Sequence, residues 1–447
     1  MKSTDMKTRL AILVSLTIAI ASGCSNGDQP AATDSAAPAE SKPAVPTAME
    51  ATKEPIELTV YYPFSDGTAE SFQDRLWKHV QKKYPNFKVK WLNTASLKLA
   101  DLAATKTPVD LFWTNANSAA QFADLGYVTD MTDMIKQNKY DLNRIEQVTL
   151  DIIKKASNGK QTALPIYANS HLLFYNKDIF DKFGVAYPKN GMTWDDTYEL
   201  TKKVTRLENG VQYVGFEYQF ISGTANLLNQ YGQEEMDPQS KKVLFDSGRW
   251  PDIMRNFLRF YQIPGNEYLT SQDIFPKEQR IAMMVTLSNR VSGNPEWVPP
   301  NWDIASMPVY ADAKGIGSGY EPLYLYLSSV SKYKNEAYLA ITALESDEVQ
   351  SALLLENGYF PVAKLPDIKS LFAQVPSLKG KNIDALFVNK PAPAITLTQD
   401  VLAVHPSLSA AVTSIMKGEK DINSALREAT EAGNKKIEER KAAGLTK

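Results

Sequence analysis

Between Ile56 and Trp113 the chain alternates strand-like and helix-like stretches, and that order leaves few folds open. Ile56–Tyr62 alternates apolar and polar residues before a Pro63–Gly67 loop. Phe72, Leu76, Val80 and Tyr84 then recur at i, i+4, the spacing of one helix face. Phe87–Leu92 reads as a second strand, Leu97–Thr105 as a helical patch, and Val109–Trp113 as a short apolar strand entered through Pro108. Strands separated by helices predict a parallel sheet with helices covering it. In such sheets ligands sit beyond the carboxyl ends of the strands. Ser65 and Asp66, after the first strand, and Trp113 to Asn117, around the end of the third, are thereby expected at the mouth of a cleft.

The first residues carry a different signal. Lys2, Lys7 and Arg9 precede an apolar run, Leu10–Ala21, that ends in Ala21-Ser22-Gly23-Cys24. A run of about twelve residues is too short to span a bilayer, which takes roughly 20. Cys24 is the only cysteine, so an intrachain disulfide is impossible. The segment resembles a bacterial lipobox, with Ala21 where Leu is commoner. That resemblance implies a leader over 1–23 and a lipid-modified (palmitate-bearing) Cys24 as the first mature residue. Residues 24–53 are rich in Ala, Pro, Ser and Thr and nearly lack apolar bulk, so a disordered tether is expected there. No later segment is apolar enough to cross a membrane; Leu323–Val330 is the richest, but it is short and carries Tyr and Ser.

The stretch Leu164–Leu200 is the most specific. Leu164-Pro165 ends a strand, and Tyr175-Asn176-Lys177-Asp178-Ile179-Phe180 follows a polar crossing. Phe183-Gly184, Pro188 and Thr193-Trp194-Asp195-Asp196 come next, the last reading as an N-cap with acidic residues in the first turn. In this order the elements resemble the bacterial extracellular solute-binding proteins of the maltose-binding type. Further matching segments are Asp110-Leu111-Phe112-Trp113, Arg280 to Val285, Trp302–Pro308, Tyr338–Leu355 with Ser346 as an N-cap, Gly358 to Val362, and Lys417-Gly418-Glu419. Residues 205–280 and 363–400 match poorly. The resemblance implies an α/β, two-lobed periplasmic-binding-protein fold of type II. Each lobe is expected to hold a mainly parallel sheet flanked by helices, with several hinge crossings. The expected limits are 54–166 and 305–340 for lobe 1, and 167–304 and 341–447 for lobe 2.

The resemblance also implies a function: a receptor, lipid-anchored at the outer face of the cell membrane, that closes on a carbohydrate, with an oligosaccharide expected, and delivers it to the permease subunits of an ABC importer. Trp113 is the stacking candidate, and Asp66 and Asn169 stand where family members place partners for sugar hydroxyls. Asn169 departs from the carboxylate that several oligosaccharide receptors carry there. Ser65, Asn115 and Tyr167 border the same loops and hinge. Glu217 and Tyr218 are candidates from a strand of the second lobe, Asn289 and Arg290 follow another, Trp297 and Trp302 flank a Pro-rich loop, and Tyr320 and Glu321 follow the Gly315–Gly319 loop. An aromatic residue typical of maltose receptors has no counterpart around Leu397–His405.

Other classes fit less well. A net charge of -2 with scattered Lys and Arg leaves no basic footprint for nucleic acid. His79, His171 and His405 show no metal-ligand spacing, so no metal or cofactor is expected. Gly315-Ile316-Gly317-Ser318-Gly319 fits neither a nucleophile elbow nor a phosphate loop. No catalytic residues are expected, nor an oligomer. A polyamine, phosphonate or peptide ligand, or a sensing role on the same fold, is the alternative. Substituting Cys24→Ser is expected to move the protein from the membrane to the soluble fraction on cell fractionation; unchanged membrane retention would refute the lipid anchor.

Overall fold

A computed structural model of the protein describes residues 49–105, 107–218, 229–269, 274–291 and 295–446. Cys24, the leader and residues 25–48 of the tether lie outside the described residues. The alternation from Ile56 resolves into β1 (Ile56–Tyr62), β2 (Phe87–Asn93) and β3 (Leu111–Thr114), with β1 parallel to both neighbours. Leu58, Val60 and Tyr61 are fully buried, as expected of a central strand covered on both faces. β4 (Ala163–Asn169) and β10 (Glu321–Leu327) complete a five-stranded sheet in the order β2-β1-β3-β10-β4.

A second sheet contains β5 (His171–Asn176), β6 (Arg206–Glu208), β7 (Val211–Tyr218), β8 (Ile281–Leu287) and β9 (Trp302–Ser306), in the order β6-β7-β8-β5-β9. The two-lobed α/β architecture is the expected one, but the sheets are mixed rather than mainly parallel. β10 runs antiparallel to β3 and β4, and in the second sheet β7 and β8 alone form a parallel pair. The reason is connectivity: β4 leaves its sheet and becomes β5, and β10 arrives from β9, so each runs against its new neighbour.

Helices cover both sheets. The apolar face predicted from Phe72 to Val80 is buried, yet the helix is interrupted by a π-helical turn over Gln73–Trp77 that carries both Leu76 and Trp77 inward. With Leu111 and Ile341 these residues form the core on one side of the first sheet. Phe112, Phe122, Ile152 and Tyr324 fill the other. In the second lobe Trp194, Phe216 and Met283 pack beneath the C-terminal helices Gln399–Met416 and Ile422–Ala442. The Thr193 cap is a complete capping box with Asp196, and Gly184 ends the preceding helix at φ 63°, where a side chain would be strained. Asn176 caps that helix by accepting from the Asp178 N–H at 3.0 Å, which accounts for the Asn-Lys-Asp order. Among the described residues no helix is long and apolar enough to cross a membrane.

Among the described residues the chain passes between the lobes several times. Ser170 joins β4 to β5, and residues 307–320 join β9 to β10. Phe360 forms a two-way backbone bridge with Ala168 just after the helix Asp347–Asn357. Residues 390–392 lie along Gly315 to Ser318, after which Ile395 and Leu397 pack into the first lobe. The packing therefore draws the lobe limits elsewhere than expected. β4 stays in the first sheet to Asn169, β9 stays in the second to Ser306, and Ile341, Leu344, Val349 and Leu353 belong to the first core. The limit expected at 341 falls inside one continuous helix, and the chain turns at Gly358 instead.

Glu345, at the end of the helix Lys334–Leu344, is buried with its carboxyl accepting from Tyr140 at 2.5 Å. Desolvation pushes this carboxyl up to about 8, only partly opposed by Tyr140 and Arg144. A carboxyl raised from near 4.5 contributes stability below that pH and loses it as pH climbs through 8. The melting temperature should fall by several degrees across this window. Glu345→Gln should flatten the fall in a pH series of thermal melts, and an unchanged profile would contradict the assignment.

Candidate functional site

Where the crossings meet, polar side chains gather around a cavity of about 180 Å³ between the lobes. Glu321 opens β10 and lies opposite Asn169, the last residue of β4. Asn169 is buried and its Oδ1 has no hydrogen-bond partner among the described residues. An unpartnered buried acceptor costs stability, and groups of this kind are often held for a ligand or water. His171 opens β5, with its Nδ1 2.9 Å from Ser318 Oγ on the neighbouring crossing. Burial pushes its imidazole down to about 3, so it is neutral at physiological pH.

Glu321 keeps 48% of its side chain exposed while being surrounded on most sides by protein, the mark of a group on the floor of an open cleft. Desolvation there raises its carboxyl above the usual range, and Arg290 opposes that rise. Tyr320, beside it, lines the same cavity, and burial pushes its phenol up to about 12. Arg290 comes from the second lobe on a short 3-10 turn, Ser288–Val291, and lies 4.5 Å from the ring centre of Trp297. Asn289 is on that turn, half-buried. The turn is tied to the crossing by reciprocal bonds between Ser288 and Ser170.

The first-lobe loops supply a second group. Trp113 is only 8% exposed and is packed into an aromatic core, stacked on Tyr62 at 5.0 Å and close to Phe72 and Trp91. Its Nε1 is buried without a partner among the described residues, and it does not line the cavity. Ser65 and Asp66 are exposed on the loop after β1. Asp66 accepts from the Tyr62 hydroxyl and, after burial, is the next cause of that phenol's raised pKa. Gly67 is required in this loop: an added Cβ would come within 2.6 Å of the Tyr62 ring. Asn115 caps the helix Ala116–Asp124, accepting from the Ser118 N–H at 2.9 Å, and also lines the cavity. Tyr167 stacks face to face on Tyr359 at 3.9 Å, and Arg75 donates to the Tyr359 hydroxyl at 3.1 Å.

Three candidates lie apart from this gathering. Glu217 accepts from the Tyr261 hydroxyl at 2.7 Å and from the Leu269 and Tyr218 N–H groups. Desolvation pushes its carboxyl up to about 8 despite those bonds. Tyr218 is buried against Trp194 and Phe257. Trp302 packs on Phe174, with Lys381 4.4 Å over its ring.

Asn117 lies in the stretch expected at a cleft mouth, whereas sequence reasoning passed over His171, Asn229, residues 392–395 and Leu397, which also line the cavity. His171 was detectable as a His two residues past Asn169 on the crossing. Nothing in 392–397 marks it as cavity wall.

The profile of the bacterial extracellular solute-binding proteins matches residues 65–351. The chain belongs to this family. The sn-glycerol-3-phosphate-binding periplasmic protein of Agrobacterium fabrum is 27% identical to it over 155 residues, 34% of either protein. The arabinooligosaccharide-binding protein of Bacillus subtilis is 27% identical over 199 residues, 42% of this chain and 43% of that one. The matches thus span less than half the length of these relatives. Among solved structures, the cyclic α-maltosyl-1,6-maltose binding protein of Arthrobacter globiformis has a TM-score of 0.69 at 17% identity, with 86% of this chain and 100% of that one covered. At that identity the likeness speaks for the fold.

Trp113→Ala should cost about 3–5 kcal/mol of stability without any ligand present, because it empties an aromatic core. A thermal melt checks this; an unchanged melting temperature would return Trp113 to the cleft surface.

Proposed function

We propose that this family member is an extracytoplasmic receptor, anchored through Cys24, that binds a carbohydrate between its lobes and delivers it to an ABC importer. The observation that carries the reading is the meeting of His171 and Glu321, from two different crossings, on one interlobe cavity, with Asn169 paired opposite Glu321. A ligand held there touches the segments that rotate when the lobes close. It favours the closed state by the contacts it gains in that state, and a permease reads the closed shape. The relatives' names, an arabinooligosaccharide and sn-glycerol 3-phosphate, support a small hydroxylated solute.

The neutral amides, the neutral imidazole and a single cavity carboxylate suit hydroxyl groups better than a polyamine. A polycation would call for several convergent carboxylates, whereas Glu217 is held by internal hydrogen bonds and Asp66 by Tyr62. The role is one of binding rather than catalysis.

A thermal-shift screen with mono- and oligosaccharides, polyamines and peptides tests the reading. A ligand at about 100 times its Kd adds roughly 2.7 kcal/mol to stability, a shift of several degrees. Saccharides should give the shift, and Asn169→Ala should weaken binding about 10-fold or more while leaving the unliganded melt unchanged. A response confined to polyamines or peptides would overturn the carbohydrate reading and leave the receptor reading standing.

A further inference from the structure

Three stretches of chain that line the interlobe cavity are tied together by one carboxylate that does not line it. The first-lobe helix Gln147–Ala156 contributes Val148 and Ile152 to the lining, and the crossing after residue 390 contributes Ala394, Ile395 and Leu397. The third stretch contributes Asn229 and runs on to Glu234. Glu234 Oε2 accepts from the Thr396 N–H at 2.8 Å, and its Oε1 lies 3.2 Å from both Thr396 Oγ1 and Lys155 Nζ. Lys155 Nζ also donates to the Ala394 carbonyl at 2.5 Å, so the ammonium joins the helix to the crossing.

The stretch that carries Glu234 is anchored on the second lobe. The buried Trp250 of that lobe's core donates from its indole to the Glu234 carbonyl at 3.0 Å. The next carboxylate, that of Glu235, lies 2.8 Å from His405 Nε2 on the helix Gln399–Met416. Between Asn229 and Glu234, the Asn229 side chain donates to the Gln233 carbonyl at 2.7 Å and accepts from the Gln233 N–H at 2.8 Å. These bonds fold the stretch back on itself and relate the place of Glu234 to that of Asn229 in the cavity lining. The ion pair is the weaker part of the joint, because 44% of the Lys155 side chain is exposed. The hydrogen bond from Thr396 is the stronger part, since removing its acceptor in a half-buried place costs more than losing a screened charge.

We propose that Glu234 is a positioning residue of the binding site. Its carboxylate fixes the second-lobe lining at Asn229 relative to the first-lobe lining at Ala394, Ile395 and Leu397, and so sets how tightly a solute is held between them. Both carboxylate oxygens are taken by Thr396 and Lys155, so Glu234 acts through these segments and not by touching the ligand. The inference rests on the carbohydrate reading above.

Isothermal titration of the full-length protein with a panel of mono- and oligosaccharides that includes maltotriose and arabinotriose tests it. For the saccharide that binds, Glu234→Ala should weaken binding about 10-fold or more at a temperature well below the melt. Glu234→Gln keeps an acceptor for Thr396 and should restore most of that affinity. Lys155→Met should weaken binding only about 3-fold. Combined with Glu234→Ala it should add no further loss, because both substitutions break one joint. A residue that only supports the fold would lower the unliganded melt and leave the affinity of the folded protein where it was. If Glu234→Ala does not fold, Lys155→Met carries the test, and unchanged affinity in it overturns the inference. Unchanged affinity in Glu234→Ala, or a Gln variant no better than the Ala one, also overturns the inference and leaves the carbohydrate reading intact. An absence of binding by any saccharide of the panel overturns both.

Discussion

The antiparallel pairing of β10 with β4 sets Glu321 opposite Asn169 and Leu323 opposite Tyr167, and it joins two segments that each come from, or go to, the other lobe. A register shift between Leu323 and Tyr324 bends the ladder just inside the cleft. Without this pairing the first sheet would end at β10, and Asn169 and Glu321 would have no common frame. The bridge between Ala168 and Phe360 adds a third segment to the same strand. Few backbone bonds therefore hold three interlobe segments together.

The electrostatics follow from that placement. Glu321 and Glu217 are both carboxyls raised by desolvation, yet they do different work. Glu217 has its acceptors taken by Tyr261, Leu269 and Tyr218, so it organises the second lobe from within. Glu321 has half its side chain open to the cleft, with Arg290 as the opposing charge from the second lobe. A raised pKa alone does not tell these apart; the direction in which each oxygen faces does.

Much of the fold was legible. Strand and helix positions from Ile56 to Trp113 follow from period-2 and period-3.6 patterns, and the caps at Thr193, Ser346 and Gly184 follow from local chemistry. Strand direction was less so, because β5 and β10 have the same apolar patterns they would have in parallel pairs. The π turn at Gln73–Trp77 was also hidden: an i, i+4 pattern tolerates one extra residue that happens to be apolar. Of the candidate residues, Asn115, Tyr320 and Glu321 line the interlobe cavity, with Asn169 paired opposite Glu321. Trp113, Tyr218 and Trp302 are buried in cores, because an aromatic side chain reads the same in sequence whether it faces a core or a cleft.

By itself the sequence determined the elements, the caps and the succession of strands that makes a two-lobed chain, since these depend on residues within a turn or two of one another. The tertiary structure alone decided which polar groups share a cavity. His171 and Ser318 are 147 positions apart and Glu321 lies 150 from His171, so their meeting depends on how separate crossings are paired. The part of the cavity lining supplied by Ile395 and Leu397 depends likewise on where a late segment is pinned along Gly315 to Ser318. No local pattern encodes such distances, because the free energy that sets them is gained only when the two sheets are already joined.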